Sequence, residues 1–460
     1  MREFLFKGRI DPNKRLVVER VKDFKEIYEV MDSSNAASQS ERCIQCGDPF
    51  CLNKCPLHNY IPQWLKAVAE KDLEFAFKLS NEPSPFPEVM GRVCPHDRLC
   101  EGDCTLNDGH GAITIGSIET FINEEGFKQG FKPDFPGIVT DKKVAIIGAG
   151  PAGLSAATYL LRSGIAVTMY DRSDRAGGLL TYGIPGFKLD KKIVERRVNL
   201  LKEAGMELVL ETEVGKDISF DEIANKHDAV FIGVGATKGK NARIAGENSS
   251  NVYLAMQYLT AIQRKNFGLK YDKAMDFKDL EVVVIGGGDT AMDCVRTAKR
   301  EGAKKVTCLY RRDAQNMPGS RKEYKNAMEE GVEFTFQASP KEVVIGDNNR
   351  AVAIEMIKTV MGAKDESGRQ RMEEVKGSEF KVKADVIIMA LGFDPEVPAF
   401  LAENGIETNS WGGIIVDANK QTTTAGIYAG GDCQRGADLV VTAAYDGREA
   451  ARSIVKSLLG

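Results

Sequence analysis

Short apolar runs that end in glycine turns mark the hydrophobic pattern of the chain from residue 143 onward. The run VAII is followed by a glycine turn and the helix-like stretch SAATYLLRSG, and VVVI is followed in the same way by TAMDCVRTAKREG. A third apolar run, VIIM, precedes the glycine-rich segment IYAGGDCQRGADL. Buried strands that alternate with helices are typical of parallel α/β sheets. Since the two strand-turn-helix units lie 138 residues apart, we predict two domains of this type.

The first 140 residues have a different pattern, in which helix-like apolar spacing alternates with loops rich in cysteine. The stretch IPQWLKAVAEKDLEFAFKLS has the spacing of one helical segment, and Pro83, Pro85 and Pro87 interrupt it. Helical spacing returns in GAITIGSIETFINEEGF. We therefore predict a small helical domain, joined to the α/β part by a linker that is rich in proline and glycine.

Together these patterns predict an α/β fold with three parts. A helical domain is expected over residues 1–140, and two Rossmann-like dinucleotide-binding domains are expected after it. The first Rossmann-like domain should comprise residues 141–250 and 386–460. The second should be inserted within the first, at residues 251–385.

Composition and charge narrow the possible partners of the chain. Charged residues make up 28% of the 460 residues, but the net charge is only −4, so no strong field of one sign favours nucleic acid or anionic lipid. The N-terminal segment MREFLFKGRIDPNKR lacks the apolar core of a signal peptide, and no stretch of about 18 apolar residues follows it. We therefore expect a cytoplasmic protein that binds neither nucleic acid nor a membrane.

The first glycine turn, Gly148-x-Gly150-x-x-Gly153, directly follows the strand VAII. In this context the glycines form a tight turn, leave the backbone open to a pyrophosphate and let the helix pack on the sheet. The next predicted strand ends at Asp171, 18 residues after Gly153, where a carboxylate would accept hydrogen bonds from the ribose of an adenosine without a 2′-phosphate. The turn therefore predicts binding of FAD or NAD.

Two further segments favour FAD at the first turn. The segment RAGGLLTYGIP, which contains Gly178, follows Asp171, and Gly430, Gly431 and Asp432 come late in the chain. Both segments resemble the flavin contacts of reductases that have two dinucleotide domains. By that resemblance, Asp432 would lie beside the ribityl chain and the phosphate of the flavin.

The second glycine turn follows the strand VVVI and has alanine at its third position, where a small residue still lets the helix pack closely. The residues expected to bind a nucleotide there are Gly286, Gly288, Asp289 and Ala291. The next predicted strand, KVTCLY, leads to Arg311 and Arg312 instead of a carboxylate. Two guanidinium groups can pair with a 2′-phosphate, which a carboxylate would repel, so we predict NADPH at this turn. Arg321 is a weaker candidate for the same role.

Seven cysteines lie within the predicted helical domain, namely Cys43, Cys46, Cys51, Cys55, Cys94, Cys100 and Cys104. In a reducing compartment, an odd-numbered group of this kind favours metal ligation over disulfides. The first four have the pattern Cys-x2-Cys-x4-Cys-x3-Cys-Pro, which is close to the ferredoxin run whose last cysteine binds the other cluster. Zinc is the alternative, but only Cys43 and Cys46 form the close pair that a zinc site typically repeats.

Applied to this chain, the ferredoxin crossover predicts two 4Fe-4S clusters. The ligands of cluster 1 would be Cys43, Cys46, Cys51 and Cys104. Cluster 2 would be held by Cys55, Cys94 and Cys100, which leaves it one ligand short. From the residues alone, the missing ligand can be Glu119, His96 or a solvent molecule.

No other residue is assigned a catalytic role. Cys294, Cys308 and Cys433 stand alone in mostly apolar segments, which is typical of buried cysteines. No Cys-x2-Cys pair lies in either nucleotide domain, which argues against a thioredoxin reductase. Hydride transfer between nicotinamide and flavin depends on alignment more than on a general base. The histidines, which show no metal-binding spacing, are His58, His96, His110 and His227.

The chain resembles the small subunits of bacterial NADPH-dependent glutamate synthases nearly from end to end. The motifs that carry the resemblance are RCIQCGDPFCLNKCPLHNYIPQWL, GRVCPHDRLCEGDCTLND, VAIIGAGPAGLSAA, GGLLTYGIPGFKL, VVVIGGGDTAMDCVRT, YRRDAQNMPGSRKE and AGGDCQRGADLVVTAA. The same module is similar to the N-terminal half of dihydropyrimidine dehydrogenase and to the large subunit of bifurcating transhydrogenases. In this superfamily the cluster that is one cysteine short takes a glutamine or glutamate from the helix after the last cysteine. The resemblance therefore assigns Glu119 to cluster 2.

This resemblance implies a function in electron transfer. A hydride would pass from NADPH to FAD, and electrons would leave the flavin singly through the two clusters. In a glutamate synthase they reach FMN on a large subunit, whose glutaminase domain supplies the ammonia that is joined to 2-oxoglutarate to make glutamate. The sequence shows neither an FMN barrel nor an N-terminal glutaminase cysteine, so we expect a partner chain. The alternatives are the NADPH-binding subunit of a bifurcating ferredoxin-linked transhydrogenase and a zinc-stabilised NADPH-binding scaffold.

Overall fold

The N-terminal part of the computed structural model, which describes residues 3–364 and 370–460, is helical. Its helices are α1 (Val17–Arg20), α2 (Ser33–Glu41), α3 (Phe50–Lys54), α4 (Ile61–Ala69), α5 (Leu73–Asn81), α6 (Pro87–Val93) and α7 (Ile115–Lys128). Short 3-10 helices lie at Glu3–Leu5, His96–Arg98 and Thr105–Asn107. Within the described residues, no helix combines the length and the apolar composition that crossing a membrane requires.

The helical stretch predicted over IPQWLKAVAEKDLEFAFKLS is two helices, α4 and α5, rather than one. Between them Lys71 has a left-handed backbone with a φ of 63°, which ends the regular helix. Asp72 then caps α5, because its side chain accepts a hydrogen bond from the backbone N–H of Phe75 at 3.1 Å. Both helices bury apolar side chains, among them Trp64 and Phe77, in the core that they share with α7.

Two α/β units follow the helical domain. The first contains β1 (Lys143–Ile147), α8 (Pro151–Arg162), β2 (Ala166–Tyr170), α9 (Leu179–Tyr182), α10 (Lys191–Glu203), β3 (Glu207–Val209), α11 (Phe220–Ala224), β4 (Ala229–Ile232) and β5 (Lys238–Gly239). The second contains β6 (Val252–Leu254), α12 (Ala255–Asn266), β7 (Glu281–Ile285), α13 (Asp289–Arg300), β8 (Lys305–Tyr310), α14 (Arg321–Glu329), β9 (Glu333–Phe336), β10 (Ala338–Ile345), β11 (Ala351–Lys364), β12 (Gln370–Glu374), β13 (Phe380–Lys383) and β14 (Val386–Met389). The C-terminal elements are β15 (Phe393–Asp394), α15 (Ala399–Glu403), β16 (Ile427–Ala429), α16 (Asp432–Arg435) and α17 (Val440–Leu459).

Each α/β unit is built on a parallel sheet of five strands. The first sheet has the order β16-β4-β1-β2-β3, and the second has the order β6-β14-β7-β8-β9. In both sheets the strand before the glycine turn is central, so the turn and the helix N-terminus lie at the carboxyl edge, where nucleotides bind in such folds. The antiparallel strands β10 to β13 form a smaller sheet whose apolar face packs against the second parallel sheet.

The strand pairing places the return to the first domain later in the chain than the predicted boundary at residue 386. The strand Val386–Met389 lies between β6 and β7 in the second sheet, so it does not belong to the first domain. The chain crosses back only after this strand, where Phe393–Asp394 pairs with Lys238–Gly239. An apolar run such as VIIM suits a strand buried on both faces of either sheet, and only the pairing partners decide between them.

Buried ion pairs fix the helical domain to both α/β units. Arg197 of α10 pairs with Glu88 of α6 at 2.6 Å, and both side chains are almost fully buried. Arg20, in the N-terminal segment, pairs with Glu330 of the second unit at 3.0 Å. Because breaking a buried pair leaves an uncompensated charge, these contacts hold the three parts in one arrangement.

Candidate functional site

Both glycine turns open into one cavity of about 1240 Å³ that lies between the two nucleotide domains. Its wall includes Gly150 of the first turn, Gly288 of the second turn and Cys94 of the helical domain. This volume lies above the roughly 300–1,000 Å³ that is typical of a site for one small molecule. The cavity therefore has room for more than one ligand, and all three parts of the chain reach it.

The first turn has the backbone that its sequence predicts. Gly148 has a φ of 103°, and a Cβ atom there would lie 2.4 Å from the carbonyl oxygen of Gly233. A Cβ atom on Gly153 would lie 2.0 Å from the carbonyl oxygen of Gly148, so α8 packs directly on the turn. The N-terminus of α8 begins at Pro151 and faces the cavity, where its free backbone N–H groups suit a pyrophosphate.

Asp171 and Gly178 lie next to the first turn, as predicted. The Asp171 carboxylate accepts hydrogen bonds from the backbone N–H groups of Ala149 at 2.7 Å and of Ser173 at 2.8 Å, and it forms part of the cavity wall. A Cβ atom on Gly178 would lie 2.8 Å from the Cα atom of Gly150. The segment RAGGLLTYGIP therefore packs against the glycine turn itself.

The late glycine segment is held by a buried carboxylate that the sequence did not reveal. Asp446 of α17 is fully buried, accepts a hydrogen bond from the backbone N–H of Gly431 at 3.1 Å, and pairs with Lys420 and Arg435 at 2.7 Å each. The neighbouring Asp432 lines the cavity, and burial raises its pKa to about 7. No spacing rule marks Asp446, because its role depends on where α17 packs.

The second turn has a similar backbone, but different residues surround it. Gly286 again has a positive φ, of 144°. Gly288 and Asp289 reach the cavity wall, whereas Gly286 and Ala291 lie behind it. The Asp289 carboxylate accepts a hydrogen bond from the backbone N–H of Ser320 at 2.8 Å, which joins the segment MPGSRKE to the turn.

The two arginines that follow β8 lie beside the second turn but outside the cavity wall. Arg311 is exposed, and its carbonyl oxygen accepts a hydrogen bond from the Thr359 hydroxyl at 2.7 Å. The Nε atom of Arg312 is buried and has no hydrogen-bond partner among the described residues. Arg321 begins α14, and its backbone N–H donates to Asp97 at 3.4 Å.

Sequence reasoning missed two cavity residues that join different domains. Arg98, between two cysteines of the helical domain, donates to the carbonyl oxygen of Pro318 at 2.6 Å and to Asp289 at 3.3 Å. Lys188 of the first nucleotide domain pairs with Asp293 of α13 at 2.9 Å. Burial alone would lower the pKa of Lys188, but the carboxylates of Asp293 and Glu323 raise it. Neither residue has a spacing signal in the sequence.

The cysteines assigned to cluster 1 come together around α3. Burial, together with the nearby thiols of Cys104 and Cys46, raises the pKa of the Cys43 thiol to about 11. Burial likewise raises the pKa of Cys51 to about 12, with contributions from Cys104 and Cys43. The Cys46 sulfur lies 3.3 Å from the hydroxyl of Thr105.

The residues assigned to cluster 2 surround a separate cavity of about 30 Å³, whose wall includes Cys55, Cys94, Cys100 and Glu119. Burial raises the pKa of the Cys94 and Cys100 thiols well above their usual range, and the Glu119 carboxylate adds to the effect in both. Burial also raises the pKa of Glu119 to about 8. The grouping of the ligands predicted from spacing is therefore the grouping in space.

Glu119 and His96, the two candidates for the last ligand of cluster 2, both line the smaller cavity. Asn59 donates a hydrogen bond to Glu119 Oε1 at 2.6 Å, and Trp64 donates to Asn59 Oδ1 at 3.2 Å. The His96 ring packs against Gly116, its Nε2 atom is buried without a hydrogen-bond partner among the described residues, and burial lowers its pKa. Asn59 and Trp64 lie within the motif RCIQCGDPFCLNKCPLHNYIPQWL, but no spacing rule assigned a role to either residue.

The donor sets suit two clusters. Each of the four irons of a 4Fe-4S cluster binds one protein ligand, and the chain presents one group of four thiols and one group of three thiols with a carboxylate. Among residues 3–364 and 370–460, no three His, Cys, Asp or Glu side chains converge closely enough to hold a single ion. The remaining cysteines, Cys294, Cys308 and Cys433, are fully buried in the cores of the nucleotide domains.

Comparison with protein families gives two matches. Residues 20–131 match the family described as dihydropyrimidine dehydrogenase domain II, 4Fe-4S cluster. Residues 142–447 match the family described as pyridine nucleotide-disulphide oxidoreductase. The first match lies within the helical part of the chain, and the second spans both α/β units.

Individual relatives extend over almost the whole chain. The glutamate synthase (NADPH) small chain of Escherichia coli strain K12 is 48% identical over 99% of this chain and 98% of its own length. The putative oxidoreductase AegA of the same strain is 46% identical over 97% of this chain, which covers 69% of AegA. The solved structure of Mycobacterium tuberculosis FprA in complex with NADPH aligns with a TM-score of 0.58 and 17% identity, over 69% of this chain and 85% of FprA. The FprA alignment shows that about two thirds of this chain shares the fold of that protein.

Proposed function

The chain belongs to the family of NADPH glutamate synthase small chains, and we propose that it is the electron-input subunit of a glutamate synthase. It would accept electrons from NADPH and deliver them, through FAD and two 4Fe-4S clusters, to a large subunit. The observation that carries this proposal is the single cavity of about 1240 Å³, which joins both glycine turns and has Cys94 in its wall. A nucleotide bound at either turn would therefore lie close to a cysteine group.

FAD would bind at the first turn. The residues proposed to hold it are Gly148, Gly150, Gly153, Asp171, Gly178, Gly431 and Asp432. The N-terminus of α8 would bind the pyrophosphate, and the Asp171 carboxylate would accept hydrogen bonds from the ribose hydroxyls. Asp446 supports this site from behind, because it fixes the backbone of Gly431.

NADPH would bind at the second turn. The residues proposed to hold it are Gly286, Gly288, Asp289, Ala291, Arg311 and Arg312. The two arginines follow β8, the neighbour of the strand that leads into the turn, which is where a Rossmann fold recognises the 2′-position of the adenosine ribose. Their guanidinium groups would pair with the 2′-phosphate.

The two cysteine groups lie at different distances from the proposed nucleotide sites. Cys94 and Val441 line both the large cavity and the smaller one, so the ligands of cluster 2 lie against the first nucleotide domain. The ligands of cluster 1 lie around α3, where Phe50 is 53% exposed. When bound, the nicotinamide and flavin supply two-electron chemistry and the clusters supply one-electron transfer. We propose that cluster 2 is adjacent to FAD and that cluster 1 faces the partner.

The proposed partner is a large subunit that carries FMN and a glutaminase domain. The test is NADPH oxidation by the native complex, isolated without oxygen, with and without glutamine and 2-oxoglutarate, while glutamate is followed as product. We expect oxidation that requires both substrates and a matching formation of glutamate. A colourless protein without flavin or cluster absorbance would contradict the proposal and support the zinc-stabilised scaffold.

A second candidate is a reductase subunit that serves another partner, such as a ferredoxin-linked transhydrogenase. The 46% identity to AegA favours keeping this candidate, because a chain so similar is part of a longer protein described as an oxidoreductase. NADPH oxidation that ignores glutamine and 2-oxoglutarate but responds to ferredoxin and NAD would support it. Such a result would replace the glutamate synthase proposal and leave the cofactor sites unchanged.

A further inference from the structure

We propose that Asn59 is a positioning residue for cluster 2, because its side-chain amide fixes the Glu119 carboxylate that completes this cluster and so raises the cluster's reduction potential. The inference deepens the proposed function and rests on it, since it concerns the ligands of one of the two clusters. Without a hydrogen-bond partner, the Glu119 side chain could adopt several rotamers. The hydrogen bond from Asn59 stabilises the rotamer in which the carboxylate faces the cavity that the three thiols line.

The geometry of the two side chains supports this role. Asn59 and Glu119 are 60 residues apart in the sequence, are 4% and 5% exposed, and meet through a hydrogen bond of 2.6 Å from Asn59 Nδ2 to Glu119 Oε1. Among the described residues, nothing donates a hydrogen bond to Glu119 Oε2. One carboxylate oxygen is therefore held, and the other is available on the wall of the cavity that Cys55, Cys94 and Cys100 share.

The orientation of the Asn59 amide is fixed by Trp64. The indole Nε1–H of Trp64 can only donate, and it lies 3.2 Å from Asn59 Oδ1. The amide oxygen of Asn59 must therefore face Trp64, which leaves the NH₂ group for Glu119. Trp64 is fully buried, so its indole N–H is not exposed to bulk solvent.

Asn59 also lines the smaller cavity together with Cys55, a second ligand proposed for the same cluster. One residue thus borders the cavity that the thiol lines and donates from its side chain to the carboxylate. Outer partners of this kind orient metal ligands and tune the metal site, often by about tenfold or more in affinity or activity.

The direction of the effect follows from charge. A reduced cluster carries one more negative charge than an oxidised cluster, and an N–H donor to a ligand offsets part of that charge. Removal of the Asn59 donor should therefore favour the oxidised state of cluster 2. Cluster 1 does not share this donor and should keep its potential.

The experiment is a redox titration of the purified holoprotein, followed by electron paramagnetic resonance, in which the two cluster signals are titrated separately. For Asn59→Ala we expect about a tenfold lower ratio of reduced to oxidised cluster 2 at a fixed potential, which is about 59 mV for one electron. The cluster 2 spectrum should also change shape, while cluster 1 should titrate as in the wild type.

Asn123→Ala is the matched control. Asn123 is a fully buried asparagine of α7 that donates to the Ser80 hydroxyl at 3.2 Å and to the backbone carbonyl of Glu119 at 2.8 Å, without a contact to the carboxylate. The variant Asn123→Ala should be less stable than the wild type, but the reduction potentials of both clusters should be unchanged. If Asn59→Ala fails to fold, Trp64→Phe serves as the second variant, because it frees the Asn59 amide to rotate and should shift cluster 2 in the same direction by a smaller factor.

Three results would overturn the proposal. The first is an unchanged cluster 2 in Asn59→Ala or Trp64→Phe, and the second is an equal shift in Asn123→Ala. In either case the wild type would still hold two clusters that NADPH reduces, so the proposed function would stand. The third is a wild-type protein without clusters, which would overturn both this inference and the proposed function.

Discussion

In the first nucleotide domain the strand β2 leads to Asp171, whereas in the second domain the corresponding strand β8 leads to Arg311 and Arg312. Both strands lie next to the strand that ends in a glycine turn. The two turns therefore have similar backbones, and the strands next to them lead to side chains of opposite charge. We propose that each turn binds the pyrophosphate of a dinucleotide and that the end of the next strand selects which nucleotide binds.

The third position of the two turns shows a second difference. At Gly153 a Cβ atom would lie 2.0 Å from the backbone of Gly148, but the second domain accommodates the methyl group of Ala291, which is fully buried. The helix α8 therefore packs more closely on its turn than α13 does. The helix α17 also packs closely on α8, since a Cβ atom on Gly447 would lie 2.0 Å from the carbonyl oxygen of Ala152.

A methyl group at Gly153 tests the packing difference between the two turns and should have the largest effect. Gly153→Ala should displace the first turn, because its Cβ atom would meet a backbone oxygen that has no room to move. We expect loss of most bound FAD and a free energy of unfolding that is lower by about 1–3 kcal/mol. Flavin absorbance per protein after desalting, together with thermal unfolding, measures both effects.

The reverse change, Ala291→Gly, is the matched control for Gly153→Ala. It should cost only about 0.5–1 kcal/mol, which is the ordinary effect of glycine in a helix, and it should retain FAD. Full retention of FAD by Gly153→Ala would show that the two turns are equally tolerant, and the proposed difference in packing would be wrong.

Removal of Arg311 and Arg312 would abolish the positive charge that distinguishes the second nucleotide site from the first. In the double variant Arg311→Ala with Arg312→Ala, the loss of charge-assisted contacts should weaken NADPH about tenfold to a hundredfold and leave NADH nearly unchanged. The ratio of kcat/KM for the two nucleotides, measured with an artificial electron acceptor, reports this preference. Arg321→Ala serves as the control, with a smaller effect expected. An unchanged preference in the double variant would assign the 2′-phosphate to other residues.

The smallest expected effect is a pH dependence of thermal stability that is due to Asp432, a carboxylate of the first site. Burial raises the pKa of Asp432 from 3.8 to about 7, so the ionised form is disfavoured in the folded protein. Its contribution to stability is full below the unfolded pKa and is lost as the pH rises through about 7. In the FAD-free protein, the Tm of Asp432→Asn relative to the wild type should therefore increase between pH 5 and pH 8, by on the order of 2 °C. A difference that is the same at both pH values would contradict this prediction.

Much of the architecture could be predicted from the sequence. The α/β fold class and the relation to glutamate synthase small chains are confirmed. The strand before each turn was predictable because an apolar run that ends in glycine permits few other structures. The break at Lys71 was missed, because the apolar spacing of α4 and α5 continues through it. The roles of the site residues stay predictions, although the structure brings the two sets of cluster ligands together as separate groups.

Short segments of sequence specify the local features of the chain. Turn backbones, helix caps and the order of cysteines depend on residues that are neighbours in the chain, so their physical causes can be read from short segments. Long-range packing places the strand Val386–Met389 in the second sheet, brings Arg98 to Asp289 and lets Asn59 hold Glu119. These contacts join segments tens to hundreds of residues apart. A buried polar group such as the Glu119 carboxylate must find a partner in whatever packs against it, and no local pattern specifies that partner.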